Sequence, residues 1–241
     1  MRRDGADRAA EAAWSLVVPL KPLVRAKSRL SRATGEEFRP RLALAFALDT
    51  VAAALACEYV RDVVVVTDDP LAGERLAALG ARIVPDTPAR GLNAALVHGA
   101  GTVRARRPDA AVAALNADLP ALRPAELGLV LHSAAEFPRA FLADAADIGT
   151  TLLTATSGVE LAPAFGGPSR ARHLASGARE ILAADVPSVR RDVDTGEDLR
   201  AALALGVGPH TARHTPPPAG DGAMVEAAAP QAPPQVRASG A

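Results

Sequence analysis

The chain has 241 residues, with 27 Lys or Arg against 27 Asp or Glu and a formal net charge of zero. A neutral protein has no global field to gather nucleic acid or an anionic membrane, so any anion binding must be local. The single cysteine excludes an internal disulfide framework and a cysteine zinc cluster, and no apolar run approaches the roughly 18–20 residues needed to span a bilayer.

Residues 1–12 are polar and alanine-rich and read as a disordered N-terminus; residues 13–210 read as one domain. WSLVVPL (14–20) is a buried strand, and EEFRPRLALAFALDTVAAALAC (36–57) a long helix with Pro40 placed for its first turn. DVVVVT (62–67) is a β-branched strand, LAGERLAALG (71–80) a helix closed by Gly80, and ARIVP (81–85) a strand. LNAALVHGAGTVRAR (92–106) is a helix, AAVAALNADLP (110–120) a strand running into an acidic loop, and RPAELGLVLHSAAEF (123–137) a helix. RAFLAD (139–144) and TTLLTA (150–155) are strands, PSRARHLASGAREILAA (168–184) one helix, and EDLRAALALG (197–206) a closing helix. From 211 onward the chain is Pro/Ala-rich and reads as a disordered tail. Strand–helix alternation of this kind predicts an α/β fold: a mostly parallel, Rossmann-like sheet with helices on both faces. Its ligands collect beyond the carboxyl ends of the strands.

No GxGxxG follows the first strand, and GxxxxGK[ST], HExxH and GxSxG are all missing. Hydride transfer, P-loop chemistry, zinc hydrolysis and serine hydrolysis lose their usual sequence support. What remains is five scattered polar loops. VVPLKPLVRAKSRLSR (17–32) carries Lys21, Arg25, Lys27, Arg29 and Arg32 with no acid, which suits a triphosphate; a solvated basic face is the plain alternative. NADLP puts Asp118 just past a buried strand, where a fixed oxygen suits Mg²⁺; an ordinary Asn-Asp-Pro turn is the alternative. In RRDVDTGEDL, Asp192 and Asp194 lie two apart, on one side of an extended segment. There Asp194 is favoured for metal, with Glu197 and Asp198 left to the start of the following helix.

FGGPSRARH offers Gly166, Gly167 and a Ser169 hydroxyl and N–H at a helix start, with Arg170, Arg172 and His173 adding positive potential and Thr151 just upstream. The alternative is a glycine turn with a routine cap. Asn93 opens a helix, where it can cap or read a base edge. Cations on the first loop, carboxylates on two later ones and an anion cradle together describe nucleotidyl transfer between two phosphate-bearing molecules.

The ordered series VPLKP…AKSRL, VVVVTDD, GLNAAL, NADLPAL, GTTLL, FGxxSxxxH and DVDTxxDL, over about 15–205, resembles the CofC/FbiD guanylyltransferases of coenzyme F420 biosynthesis. That resemblance implies a nucleotidyltransferase fold like that of the molybdenum-cofactor guanylyltransferases (MobA-like). It implies transfer of GMP from GTP to a three-carbon phosphorylated acid, phosphoenolpyruvate or 2-phospho-L-lactate, with a functional link to the F420 transferase that uses the product. By the same resemblance Thr151, Gly166 and Ser169 hold the acceptor, Asp118 and Asp194 hold Mg²⁺, and Lys21 and Lys27 serve the nucleotide and catalysis, with Arg29 and Asn93 beside them. The high Ala/Arg/Pro content favours the phosphoenolpyruvate branch, and a sugar-phosphate nucleotidyltransferase of the same fold is the rival reading. Without nucleic-acid or membrane partners, and with one cysteine, the expected setting is cytoplasmic.

Overall fold

A computed structural model describes residues 13–23, 38–87, 89–183 and 185–215. Lys27 and Arg29, the first 12 residues and the tail from 216 lie outside the described residues.

Seven strands form one sheet: β1 (Trp14–Pro19), β2 (Val60–Val66), β3 (Arg82–Val84), β4 (Val112–Leu115), β5 (Arg139–Ala143), β6 (Thr150–Ala155) and β7 (Arg179–Glu180). Their order is β3-β2-β1-β4-β6-β5-β7. All pairings are parallel except those of β6, which runs against both β4 and β5. The helices α1 (Phe38–Leu55), α2 (Pro70–Ala78), α3 (Leu92–Arg106) and α4 (Pro124–Ala134) alternate with these strands, and α5 (Ser169–Ala175), α6 (Pro187–Arg190), α7 (Gly196–Leu205) and α8 (Pro209–Ala212) follow.

The two-residue period of a strand sorts its side chains between the layers. Leu16, Val18, Val63 and Val65 pack on one face with Ala47, Leu48 and Val51 of α1 and Leu127, Val130 and Leu131 of α4. Val17, Val64 and Val66 pack on the other with Ala95, Leu96, Ala100 and Val103 of α3. The first four strands are therefore apolar on both sides, as a covered parallel sheet requires. Pro40 does sit in the first turn of α1, where its missing N–H removes no helical bond.

Two local features differ from the sequence reading. The predicted helix over 168–184 stops at Ala175, because Gly177 takes φ 81° and turns the chain back toward the sheet. Residues 179–180 then pair with Ala140 and Phe141 of β5. Second, β5 and β6 form a hairpin. Asp144 closes it by accepting from the N–H groups of Ile148 (3.0 Å) and Gly149 (2.8 Å). A side chain at 149 would overlap that carboxylate, so the turn needs glycine. The reversal carries the first residues of β6 to the carboxyl edge of β4, where the Asn116 N–H donates to the Thr151 carbonyl at 3.0 Å.

Helix α3 meets the sheet at Gly99, where a Cβ would overlap Val17 Cγ1 and lie 2.8 Å from Val66 Cγ2. Both are fixed β-branched core side chains, so Gly99→Ala is expected to destabilise the fold by about 1–3 kcal/mol despite alanine's better helix propensity. A urea midpoint at or above that of the parent protein would refute this close packing.

Candidate active site

The polar loops that follow β1, β2 and β4 leave the sheet at one edge. Lys21 is exposed just past β1, in a segment started by the Leu20 N–H bonding the Val66 carbonyl at 2.9 Å. Asp69, after β2, accepts from the Ala72 N–H at 3.0 Å as the N-cap of α2. Its other oxygen accepts from the Leu23 N–H at 2.9 Å. One carboxylate thus caps a helix and anchors the entry to the basic loop, a role the sequence reading did not assign to it.

The acidic loop after β4 is held on three successive peptides. The Leu119 N–H donates to Thr50 Oγ1 at 3.0 Å, and the Thr50 hydroxyl lies 2.7 Å from the Phe46 carbonyl and 3.3 Å from that of Ala117. Between them, the Asp118 carbonyl accepts from the Val193 N–H at 3.0 Å. That bond brings the backbone of Asp118 against the segment carrying Asp194. Val193 is fully buried and Asp194 exposed. Thr195 caps α7 in a reciprocal box with Asp198, which leaves Asp194 just outside the helix start. Two carboxylates on adjoining segments are oxygen donors of the kind Mg²⁺ takes, with water completing its shell. Among the described residues no group of three or more His, Cys, Asp and Glu is placed to hold a metal. The side chain of Asn116 ties the acidic loop to β6, its amide nitrogen lying 3.4 Å from the Thr150 carbonyl.

Thr150 and Thr151 open β6, both buried. Thr151 Oγ1 is buried without a hydrogen-bond partner among the described residues. An unmatched buried hydroxyl is costly and marks a place where a ligand can complete the bonding. Later in the chain comes an irregular strap, residues 161–168, in which Gly166 and Gly167 take φ 93° and 49°. The strap ends on Ser169, 1% exposed, and the Arg170 N–H reaches the Ile148 carbonyl at 3.1 Å. The GTT and FGGPSRARH segments are therefore brought together.

Three expectations for this segment change. The Ser169 N–H is not free; it donates to the Gly167 carbonyl at 2.8 Å. Arg170 adds little open positive potential, because it is paired with Glu180 at 2.7 Å. His173 adds none. It is fully buried; burial, with the positive charges of Arg139 and Arg172, pushes its imidazole from 6.5 down to about 4. Its Nε2 accepts from the Ala164 N–H at 3.0 Å, so the proton is on Nδ1, 2.9 Å from Thr150 Oγ1. Asn93 neither caps α3, whose N-cap is Gly91, nor presents a whole amide to a base. Its carbonyl accepts from the Phe165 N–H at 2.8 Å and its amide nitrogen lies 3.2 Å from the Phe165 carbonyl. Thr50 and Asp69 were missed because each lies far in sequence from the loop it holds, and nothing local marks such a pairing.

Two outcomes follow from these contacts. Thr50→Val keeps the shape but leaves the buried Leu119 N–H without its acceptor; a loss of about 1–3 kcal/mol in urea unfolding is expected, and an unchanged midpoint refutes the anchor. His173 binds its proton near pH 6.5 when unfolded and only near 4 when folded. The unfolded state therefore holds more protons between those values, and the stability fully present above 6.5 is lost as pH falls toward 4, by up to about 3 kcal/mol. Urea midpoints should fall more steeply over this window for the parent than for His173→Gln, and parallel falls would show that the histidine carries no such linkage.

The family model described as guanylyl transferase CofC like matches residues 14–215. The chain is 72% identical over 199 residues to the phosphoenolpyruvate guanylyltransferase of Streptomyces avermitilis, covering 83% of this chain and 92% of that one. It is 62% identical over 203 residues to the protein of the same name from Thermomonospora curvata, covering 84% and 89%. Among solved structures, a nucleotidyl transferase from Methanothermobacter superposes with a TM-score of 0.59 at 25% identity, covering 80% of this chain and 97% of that one. A 4-diphosphocytidyl-2C-methyl-D-erythritol synthase superposes with a TM-score of 0.53 at 12% identity over 80% and 99% of the two chains, which shows a common fold. With the family match spanning the sheet, both candidate acids and the strap at 161–168, the chain belongs to the CofC-like guanylyl transferase family.

Proposed function

We propose that the protein transfers GMP from GTP to phosphoenolpyruvate, giving enolpyruvyl-diphospho-5'-guanosine and pyrophosphate, as a cytoplasmic step of coenzyme F420 biosynthesis whose product passes to the F420 transferase. The observation that carries the reading is the buried, unpartnered Thr151 hydroxyl, whose own carbonyl is bonded to Asn116, two residues before Asp118. An acceptor phosphate bound there adjoins the acidic loop. The name shared by relatives of 62–72% identity supports the choice of acceptor.

Thr151, Gly166 and Ser169 bind the three-carbon phosphate, with glycine admitting close backbone approach. Lys21, with Lys27 and Arg29 of the loop outside the described residues, gathers the triphosphate; Lys21 and Lys27 offset the charge that builds up on the leaving pyrophosphate. Asn93, expected at the base, is assigned instead to the strap to which it is bonded. Asp118 and Asp194 would hold Mg²⁺, which when bound neutralises charge between the two phosphates. An acceptor oxygen forms a bond to the α-phosphorus, and the bond from that phosphorus to the oxygen bridging it to the β-phosphorus breaks. The acceptor's second pKa is about 6, so it is already the dianion near neutral pH and no protein base is required. The chain's work is alignment and charge neutralisation.

Pyrophosphate release from GTP and Mg²⁺ with a panel of acceptors tests this. Phosphoenolpyruvate should be the best acceptor, and Asp118→Asn should cut kcat at least about 100-fold while the protein stays folded. Preference for 2-phospho-L-lactate would move the activity to the other branch of the family. Release only with a sugar phosphate would reject the three-carbon acceptor.

A further inference from the structure

Five side-chain contacts converge on the strap. Asn93 of α3 bonds both the N–H and the carbonyl of Phe165, at 2.8 and 3.2 Å. His173 of α5 accepts from the Ala164 N–H at 3.0 Å, and its ring packs edge-on against the Phe165 ring with centroids 5.2 Å apart. Arg139 of β5 donates to the Ala162 carbonyl at 3.2 Å. This stretch has no ladder or helix of its own, and Ala162 itself sits at φ 43°. Its shape is imposed by side chains from three separate elements. The same His173 ring holds Thr150, the neighbour of Thr151, at 2.9 Å through its other nitrogen. One neutral imidazole therefore spans the two halves of the acceptor cradle, β6 on one side and the glycine strap on the other.

We infer that His173 and Asn93 are positioning residues for the acceptor: they touch neither substrate, but hold the 164–165 peptides, and with them Gly166, at the distance from Thr151 that a phosphorylated three-carbon acid requires. This rests on the acceptor assignment made above. Gly166 follows directly on the doubly bonded Phe165, so a strap released at 164–165 frees the glycine whose backbone must approach the ligand. The cradle must be set before binding, because any ordering of the strap on binding subtracts from affinity. The entry to the basic loop is anchored elsewhere, through Asp69, so loss of the strap bonds should reach the acceptor and spare the nucleotide.

The two nitrogens of His173 can be tested separately. The amide oxygen of a glutamine falls near Nε2 and can still accept from Ala164; an asparagine reaches only the Nδ1 position. Pyrophosphate release is measured with each substrate varied in turn, and amide hydrogen exchange of a peptide covering 161–168 is followed by mass spectrometry. His173→Asn and Asn93→Leu should raise the acceptor KM about tenfold, leave the GTP KM within about twofold and speed exchange of the strap; Ser169→Ala, in the cradle itself, sets the scale for the KM change. His173→Gln should keep strap exchange near the parent and recover most of the acceptor KM. Strap exchange unchanged in both disruptive variants, both KM values rising together, or glutamine behaving as asparagine would overturn the inference. A parent protein that releases no pyrophosphate with any three-carbon phosphate would refute the functional reading instead, and the exchange arm would still decide whether the two side chains hold the strap.

Discussion

The turn at Asp144–Gly149 is the constraint that places the start of β6 beside the acidic loop. In a wholly parallel sheet, the first residues of β6 would lie at the amino edge, far from the loops after β1 and β4. The hairpin reverses that strand, and the reversal depends on one carboxylate satisfying two N–H groups beside a residue with no room for a Cβ. Thr150 and Thr151 consequently emerge beside the acidic loop rather than on the opposite side of the molecule. A strand beginning is then as useful as a strand end, and the crevice gains hydroxyls from a segment that parallel topology would have hidden.

The residues that hold the loops are mostly neutral at physiological pH and largely buried: Thr50 under the acidic loop, Asn116 across to β6, His173 and Asn93 under the strap. Neutral struts suit a site meant for polyanions. A buried charge beside the phosphates would itself need a partner, and would shift its protonation with each ligand that entered. A cationic His173 could not accept from Ala164 at all, so the desolvation that depresses its pKa also preserves the strap bond. Charged side chains hold loops as well: Asp69 has both oxygens committed to backbone N–H groups, Asp144 accepts from Ile148 and Gly149, and Arg139 donates to the Ala162 carbonyl.

The core layers were legible because they depend on period alone. Val63–Val66 alternate between two faces, and α1 repeats Leu42, Phe46 and Ala45 at helical spacing, so strand and helix follow from local pattern. The short β7 was not legible, since its residues carry helix-like spacing and only Gly177, at positive φ, diverts them to the sheet edge. Strand direction was also hidden: TTLLTA reads the same in either orientation, and a six-residue linker between β5 and β6 is a hairpin signal only with Asp144 and Gly149 recognised as partners. At the site, what was legible was placement: Asp118 lies just past β4 and Ser169 at the start of α5. The struts were not, because Thr50, Asn93 and His173 act across 69, 72 and 9 residues, respectively, on peptides whose identity the side chain does not encode.

The net charge of zero now has a physical sense. Two polyanions have to meet at one phosphorus, and their mutual repulsion is the main obstacle to alignment. A uniformly basic surface would attract both but also any other polyanion, with an affinity that falls steeply with salt. The strap and the acidic loop keep their positions through Thr50, Asn93 and His173, whose hydrogen bonds end on loop peptides.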